Sequence, residues 1–582
     1  MSGRDGRSLA AILALAVGLP LVLALTSGAL GIPHNDDWDY RRTALGFYRD
    51  GHIQPAAAVT SLVGQVLAVQ PLLWLSDGAP WAFGLMTAAL ACVGLVAAYR
   101  LVRRVVDPGP AVVTVLTLVL FPGFTINTTS FMTDVPAFAM AFLCLELGAA
   151  AVAARGPAAE PAPVRWRLLA ASMIAGCFGI SIREFDLAAP VAVLVMLAAA
   201  DRRYVRTCLA AGAAVLIATA VIHLAAARLP VESTAPLDLK AGWIRLQQSV
   251  TTLAFALVPA TVLAFVVWRG RVWRRDLLPG VLVGLAIAWG PLVSVLTNGS
   301  LPRLFIGNLF ADFGTSGSGA LTGGRPALYP LMVWHAVQAF GLVATVVVPG
   351  VVTGIVGALI RSGGASRVRV LAWLGSPAGL LAAFVAFTVA GLVVFCLAYS
   401  MFDRYLWPLI PAAGALLLAR PPAEQPAAEP AAGMPPGASP GAVSSGRALV
   451  GAMAASAVLL TGLGLLALAV LFNSNAFSVA RWRMAGEAAA QGIPPETIDA
   501  GSEWVGTYAT GPVVVNGEAK PGTLWYTGWW PSFVACAVVS SSQLSRTGYT
   551  LLAGDVAAYR QFDLVGPPLP LYVYRVANPA CP

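Results

Sequence analysis

The chain has 582 residues, of which 58% are hydrophobic and only 11% charged, with a mean hydropathy of +0.77 and a formal net charge of +9. This balance excludes a soluble globule and indicates a polytopic membrane protein, since a crossing helix needs roughly 20 mostly apolar residues and this chain has many such stretches. The surplus of Arg and Lys is gathered in alternate loops, so it calls for no nucleic-acid partner.

In chain order the apolar segments centre near 8–30, 80–101, 109–126, 133–154, 167–182, 185–200, 206–228, 247–268, 277–297, 330–360, 376–400, 405–419 and 447–472, which predicts about thirteen transmembrane helices. The first is too long, and too poorly followed by a cleavage site, for a removable signal peptide and reads as a signal anchor. Basic residues mark every second loop: Arg100, Arg103 and Arg104; Arg165 and Arg167; Arg202, Arg203 and Arg206; Arg269, Arg271, Arg274 and Arg275; Arg361, Arg367 and Arg369. By the positive-inside rule these loops and the Arg4/Arg7 tail are cytoplasmic. The expected protein is therefore multi-pass in the plasma (inner) membrane, with its N-terminus inside and its C-terminus outside.

The expected organisation is a membrane core over 1–420, a Pro/Ala-rich cytoplasmic linker over 421–446, a last transmembrane helix over 447–472 and a small extracytoplasmic α/β domain over 473–582. In that domain Val513–Val515, Phe533–Val539, Thr550–Leu552 and Leu571–Val576 read as strands. The first outer loop, 31–79, holds a predicted short surface helix from Asp37 to Arg49 and an apolar re-entrant or interfacial stretch over 55–75. A second outer loop, 298–329, is Gly/Ser-rich. Cys92, Cys144, Cys177, Cys208 and Cys396 lie in apolar helices and read as small hydrophobes, whereas Cys536 and Cys581 fall in the outer domain and can form a disulfide.

Three charged groupings fall on the outer face of this scarcely charged chain. His34-Asn35-Asp36-Asp37-Trp38-Asp39-Tyr40 puts three carboxylates at the exit of the first span, where they can act as base, metal ligand or cation receptor. Phe131-Met132-Thr133-Asp134-Val135-Pro136 opens a helix, so either Thr133 or Asp134 can be a helix cap or carry chemistry. Arg183-Glu184-Phe185-Asp186 interrupts an apolar stretch, either as a local ion pair or as the lining of a polar cavity.

These groupings, in this order and together with Asp403-Arg404-Tyr405-Leu406-Trp407-Pro408, resemble the GT-C superfamily of polyprenyl-phosphate-sugar-dependent glycosyltransferases over roughly residues 8–420. The branch most resembled holds the protein O-mannosyltransferases and the lipid A aminoarabinose transferases. Ile498-Asp499-Ala500-Gly501-Ser502-Glu503-Trp504 is similar to a segment after the last helix of bacterial members. The resemblance implies a polyprenyl-phosphate sugar donor, an extracytoplasmic glycan, lipid or protein acceptor, and membrane lipids around the protein. It maps the general base onto Asp36, a supporting or metal-binding acid onto Asp37, a second active-site carboxylate onto Asp134 and the phosphate ligand onto Arg183. Arg404 is a further phosphate candidate or a helix-end anchor. No cofactor is required, although a divalent metal on Asp37 and His52 is an open alternative.

Several residues keep two readings. A Lys- and Pro-containing family segment is replaced here by Gly51-His52-Ile53-Gln54-Pro55, where His52 either reaches phosphate or faces solvent. Arg41 and Arg42 either pair with Asp37 or Asp39 or contact phosphate. Arg303 and Arg325 are either loop solvation or a clamp. Trp482, Trp504, Trp525, Tyr526, Trp529 and Trp530 are either a sugar-stacking platform or core and interface residues. Asn127-Thr128-Thr129 and Asn298-Gly299-Ser300 match a glycosylation sequon. A transporter or flippase of anionic lipids is the alternative of another class, though no internal repeat of the acidic loop is found. A glycan ligase or polymerase is the nearer one.

Overall fold

A computed structural model describes residues 3–53, 62–152, 163–226, 238–269, 271–299, 329–363, 367–398, 401–419, 440–511, 524–544, 548–559 and 569–581, with isolated positions at 301, 303, 304, 321, 513, 514, 517 and 518. Most of loop 298–329, including Arg325, and most of linker 421–446 lie outside the described residues.

The first span joins α1 (Gly3–Leu13) to α2 (Leu19–Ser27) through one π turn. Then come α3 (Asp37–Asp50), α4 (Val63–Ser76), α5 (Trp81–Arg103), α6 (Pro108–Val119), α7 (Phe124–Asn127), α8 (Asp134–Ala151), α9 (Trp166–Ile180) and α10 (Ala188–Ala200). They are followed by α11 (Val205–Ala226), α12 (Leu239–Val267), α13 (Arg274–Asn298), α14 (Leu331–Gly363), α15 (Arg367–Leu374), α16 (Pro377–Ala398), α17 (Leu409–Leu418), α18 (Pro440–Ala490) and α19 (Ser502–Tyr508).

All thirteen expected apolar segments are helical, but nine helical stretches among the described residues are long and apolar enough to cross a bilayer. The helices α6, α9, α10 and α17 have 12, 15, 13 and 10 residues, short of the roughly 20 that a crossing needs. Chain turns cut them short. Pro122 and Gly123, the latter at φ 95°, separate α6 from α7, and a polar turn carrying Arg183 separates α9 from α10. Apolar runs read from sequence merge such helices with their turns.

Helix α8 is central, with 83% of its apolar window buried, whereas the spans Arg202–Ile222 and Arg274–Asn298 are only 11% and 17% buried and turn their apolar faces outward to lipid. Without a hydrophobic drive between helices in lipid, close approach depends on small residues. At Gly94 a Cβ would sit 2.7 Å from the Ala139 Cα, so glycine here lets α5 lie against α8.

One local expectation changes. Helix α3 is not a surface helix, because Asp37, Trp38, Asp39, Tyr40, Arg41, Thr43 and Ala44 are all buried, between the membrane helices and the C-terminal domain. Asp39 is accordingly an interior group. Helix α4, at 14 residues, is short for a crossing, and its Gly64 N–H donates to the Ser181 carbonyl at 3.1 Å.

Helix α18 runs unbroken through 51 residues, well past the expected span end at 472. Beyond it lies a four-stranded sheet of β1 (Ile498–Asp499), β2 (Ala537–Ser540), β3 (Tyr549–Tyr559) and β4 (Leu569–Val576), ordered β1-β2-β4-β3. The pair β1–β2 is parallel and the others are antiparallel. Val513 and Val514 form no strand, and Val515 lies outside the described residues. A disulfide joins Cys536 to Cys581, while Cys144, Cys208 and Cys396 are buried free thiols.

Candidate active site

Four turns deliver charge to one place. Asp36 immediately precedes α3, and Asp134 is the first residue of α8, where the helix dipole favours a carboxylate. Arg183 lies in extended backbone after α9, and Arg404 in the single 3-10 turn before α17. Thr133, the N-cap residue of α8, makes no side-chain cap hydrogen bond. The Thr133 hydroxyl instead accepts from Arg183 Nε at 2.6 Å.

Asp134 bridges the two arginines, with Oδ1 3.3 Å from Arg183 Nη2 and Oδ2 3.2 Å from Arg404 Nε. Arg404 Nη2 reaches Asp36 Oδ2 at 3.4 Å. The side chains of Arg404 and Asp134 are 2% and 3% exposed and that of Arg183 13%, whereas Asp36 is 39% exposed and forms the mouth of the cluster. Removing both arginines from water is costly, and Asp134 offsets that cost from between them. The Arg404–Asp134 contact is an ion pair without hydrogen-bond alignment, since neither Arg404 Nε nor Asp134 Oδ2 makes a hydrogen bond.

Desolvation lifts the Asp36 carboxyl above the usual aspartate range, and Arg404 and then Arg183 pull against that lift. Solvent access to the side chain moderates the effect. Burial likewise pushes Asp403, whose carboxylate accepts from the Arg404 N–H, up to about 7.

Beneath the charges a narrow crevice of about 30 Å³ opens between α8, α16 and the turn before α17. Asp134, Arg183 and Arg404 form its polar end, and Phe138, Phe185, Phe384 and Pro408 are among its apolar walls. Asp186, Thr388 and Tyr405 also line it, so two guanidiniums share the head of the slot with carboxylates, and an anion binds there by taking the place of Asp36 on Arg404.

Asp37 and Arg41 stand apart from this cluster. They form a buried bidentate pair, Arg41 Nη2 meeting Asp37 Oδ2 at 2.9 Å and Nε meeting Oδ1. Asp37 also accepts from the Phe131 N–H at 3.0 Å, and Arg41 donates to the Gly31 carbonyl at 2.8 Å. The pair thus ties the acidic loop to the turn before α8. Arg42 donates to the Gly506 carbonyl at 3.0 Å. His52 is exposed, with Nδ1 2.6 Å from the Asp50 carbonyl oxygen, and Arg303 is exposed. No group of three or more His, Cys, Asp or Glu able to hold a metal occurs among the described residues.

Sequence reading missed two tyrosines. Tyr405 lies 4.9 Å beneath the Arg183 guanidinium and 5.5 Å beneath that of Arg404, and its hydroxyl accepts from Arg183 at 3.4 Å. Tyr40, buried one helical turn after Asp36, lies in the field of Asp36, Arg183, Arg404 and Asp134, and burial raises its hydroxyl well above the tyrosine range. The four-residue spacing from Asp36 to Tyr40 was the available signal. Among the outer aromatics, Trp504, Tyr526 and Trp530 are buried and belong to cores rather than to a platform. Asn127 is fully buried and accepts from the Ser130 hydroxyl, so its sequon is closed off.

No protein-family model matches the chain, and no curated protein does. Among solved structures, the crystal structure of ArnT from Cupriavidus metallidurans bound to undecaprenyl phosphate is similar, at 15% identity and a TM-score of 0.43, over 96% of this chain and 97% of that one.

Proposed function

We propose that the protein is a membrane glycosyltransferase of the GT-C type, moving one sugar from a polyprenyl-phosphate donor to an acceptor hydroxyl on the outer face of the plasma membrane. The observation that carries this reading is the Arg183–Asp134–Arg404–Asp36 cluster at the head of an apolar crevice. Arg183 and Arg404 hold the donor phosphate, oriented by Asp134, and the apolar side chains beside them, Phe138, Phe185 and Phe384 among them, offer contact to the start of the isoprenoid. Asp36, open at the mouth, accepts the acceptor's proton as the hydroxyl oxygen bonds to the anomeric carbon. The anomeric carbon–phosphate oxygen bond breaks, and the lipid phosphate leaves with its charge matched by the guanidiniums. The arginine pair supplies the positive charge that the leaving group needs. Asp37 and Arg41 hold the loop in place. Residues 1–420 make up the catalytic core, and 473–582 lie outside the membrane.

The charges gather in turns at helix ends, which favours interfacial chemistry over the transporter alternative. The test is Asp36→Asn and Asp134→Asn in membranes fed radiolabelled polyprenyl-phosphate sugar. Loss of a general base removes roughly 10²–10⁴-fold in rate. Full transfer by both folded variants would refute the assignment.

A further inference from the structure

We infer that Glu503, in the C-terminal domain, is a positioning residue for the transfer, setting Asp36 through Asn35. The inference rests on the proposed role of Asp36. Glu503 Oε1 accepts from the Asn35 N–H at 3.2 Å, across 468 positions of sequence. Asn35 holds φ at 58°, a conformation few residues but glycine and asparagine adopt, and its Nδ2 donates to Asp36 Oδ2 at 2.9 Å. The second oxygen of Glu503 takes Arg481 Nη1 at 2.8 Å and the Ser502 hydroxyl at 3.1 Å. Asn35, Glu503 and Arg481 are all buried. The connection thus runs from α18 through α19 to the carboxylate at the mouth of the site.

A second grip lies on the other side of Asp36. Gly506, one turn after Glu503, packs so closely on Trp38 that a Cβ would land 2.2 Å from its ring. Trp38 also meets Trp530 at 5.2 Å, and Arg42 donates to the Gly506 carbonyl. Asp36 therefore lies between two points, Asn35 and Trp38, both held by the C-terminal domain. A misplacement of about 1 Å at a reacting group can cost 10²-fold in rate, so these grips act on turnover. A buried ion pair such as Arg481–Glu503 is weak evidence for stability, and it serves here to fix Glu503.

The test uses the full chain in proteoliposomes, with Glu503→Ala and, should that variant fail to fold, Glu503→Gln, which keeps the size but loses the charge that holds Arg481. Three readouts are compared: turnover with polyprenyl-phosphate sugar, binding of polyprenyl monophosphate alone, and hydrogen exchange over residues 33–40. For Glu503→Ala, turnover should drop by at least one order of magnitude while binding stays within about twofold, since the reacting carboxylate is displaced and the phosphate site is not. Exchange in the loop should quicken. Unchanged exchange overturns the inference, and so does faster exchange with turnover unchanged. If the wild type transfers no sugar from polyprenyl phosphate, the proposed function falls, while the exchange result alone still decides whether Glu503 fixes the loop.

Discussion

Arg404 touches both Asp134 and Asp36, at 3.2 and 3.4 Å, although 270 and 368 residues of chain separate it from them. One guanidinium thus links the buried carboxylate, which has almost no solvent, to the open one. Any anion entering the crevice competes with Asp36 for that cation.

Arginine substitutions should therefore act on donor binding. Arg183→Ala and Arg404→Ala are each expected to weaken binding of polyprenyl monophosphate roughly 10- to 100-fold, and Arg404→Lys to recover little, because an ammonium cannot reproduce the planar fork. Equilibrium binding to detergent-solubilised protein measures this. Losing Arg404 also leaves Asp134 short of a partner in the interior, so the melting temperature should fall as well.

The pH dependence of transfer should carry an acid limb from Asp36. The carboxyl lies above its ordinary range and the base must be ionised, so activity falls as pH drops through that raised pKa. Arg404 lowers the Asp36 pKa, so Arg404→Gln should move the limb to higher pH. A limb that stays in place would show that another group sets it.

Asp37 and Arg41 should behave as a unit of structure. Breaking a buried pair by removing one partner costs about 3–5 kcal/mol, whereas replacing both is far milder. Asp37→Asn should lower thermal stability strongly, and Asp37→Asn with Arg41→Met should restore part of it. A double mutant no more stable than the single one would argue against pairing as the main role. Native stability with lost transfer in Asp37→Asn would return Asp37 to the chemistry.

His34 predicts acid lability. Burial holds its imidazole down to about 4, against the pull of Asp37, with Arg41, Glu503 and Arg481 also facing it. The folded state then resists a proton that the unfolded chain takes up below about pH 6.5. Stability is unaffected above that value and falls progressively between about pH 6.5 and 4, by about 3 kcal/mol from this group. His34→Gln should flatten that part of a stability-versus-pH curve.

The sequence carried the charged cluster unevenly. Asp36, Asp134 and Arg183 stood out because ionisable groups are scarce at helix ends in a chain this apolar. Arg404 looked like an interfacial anchor, since arginines at membrane rims usually are, and only packing reveals its burial. The Asp37–Arg41 spacing of four residues was visible, but on a predicted surface helix it implied an exposed pair. Glu503 and Asn35 form a contact that no local pattern encodes. The fold class was legible in hydropathy; helix lengths were not, because apolar turns such as Phe121–Gly123 do not interrupt a hydropathy average.

The continuity of α18 has a mechanical consequence. At about 1.5 Å per residue its 51 residues span about 77 Å, more than twice the hydrocarbon thickness of a bilayer. Arg481 rides on the same continuous helix that begins at Pro440. Severing the chain after residue 472 therefore breaks a strut, not a leash, and a tilt imposed at one end of that strut would be felt at Asn35 on the other.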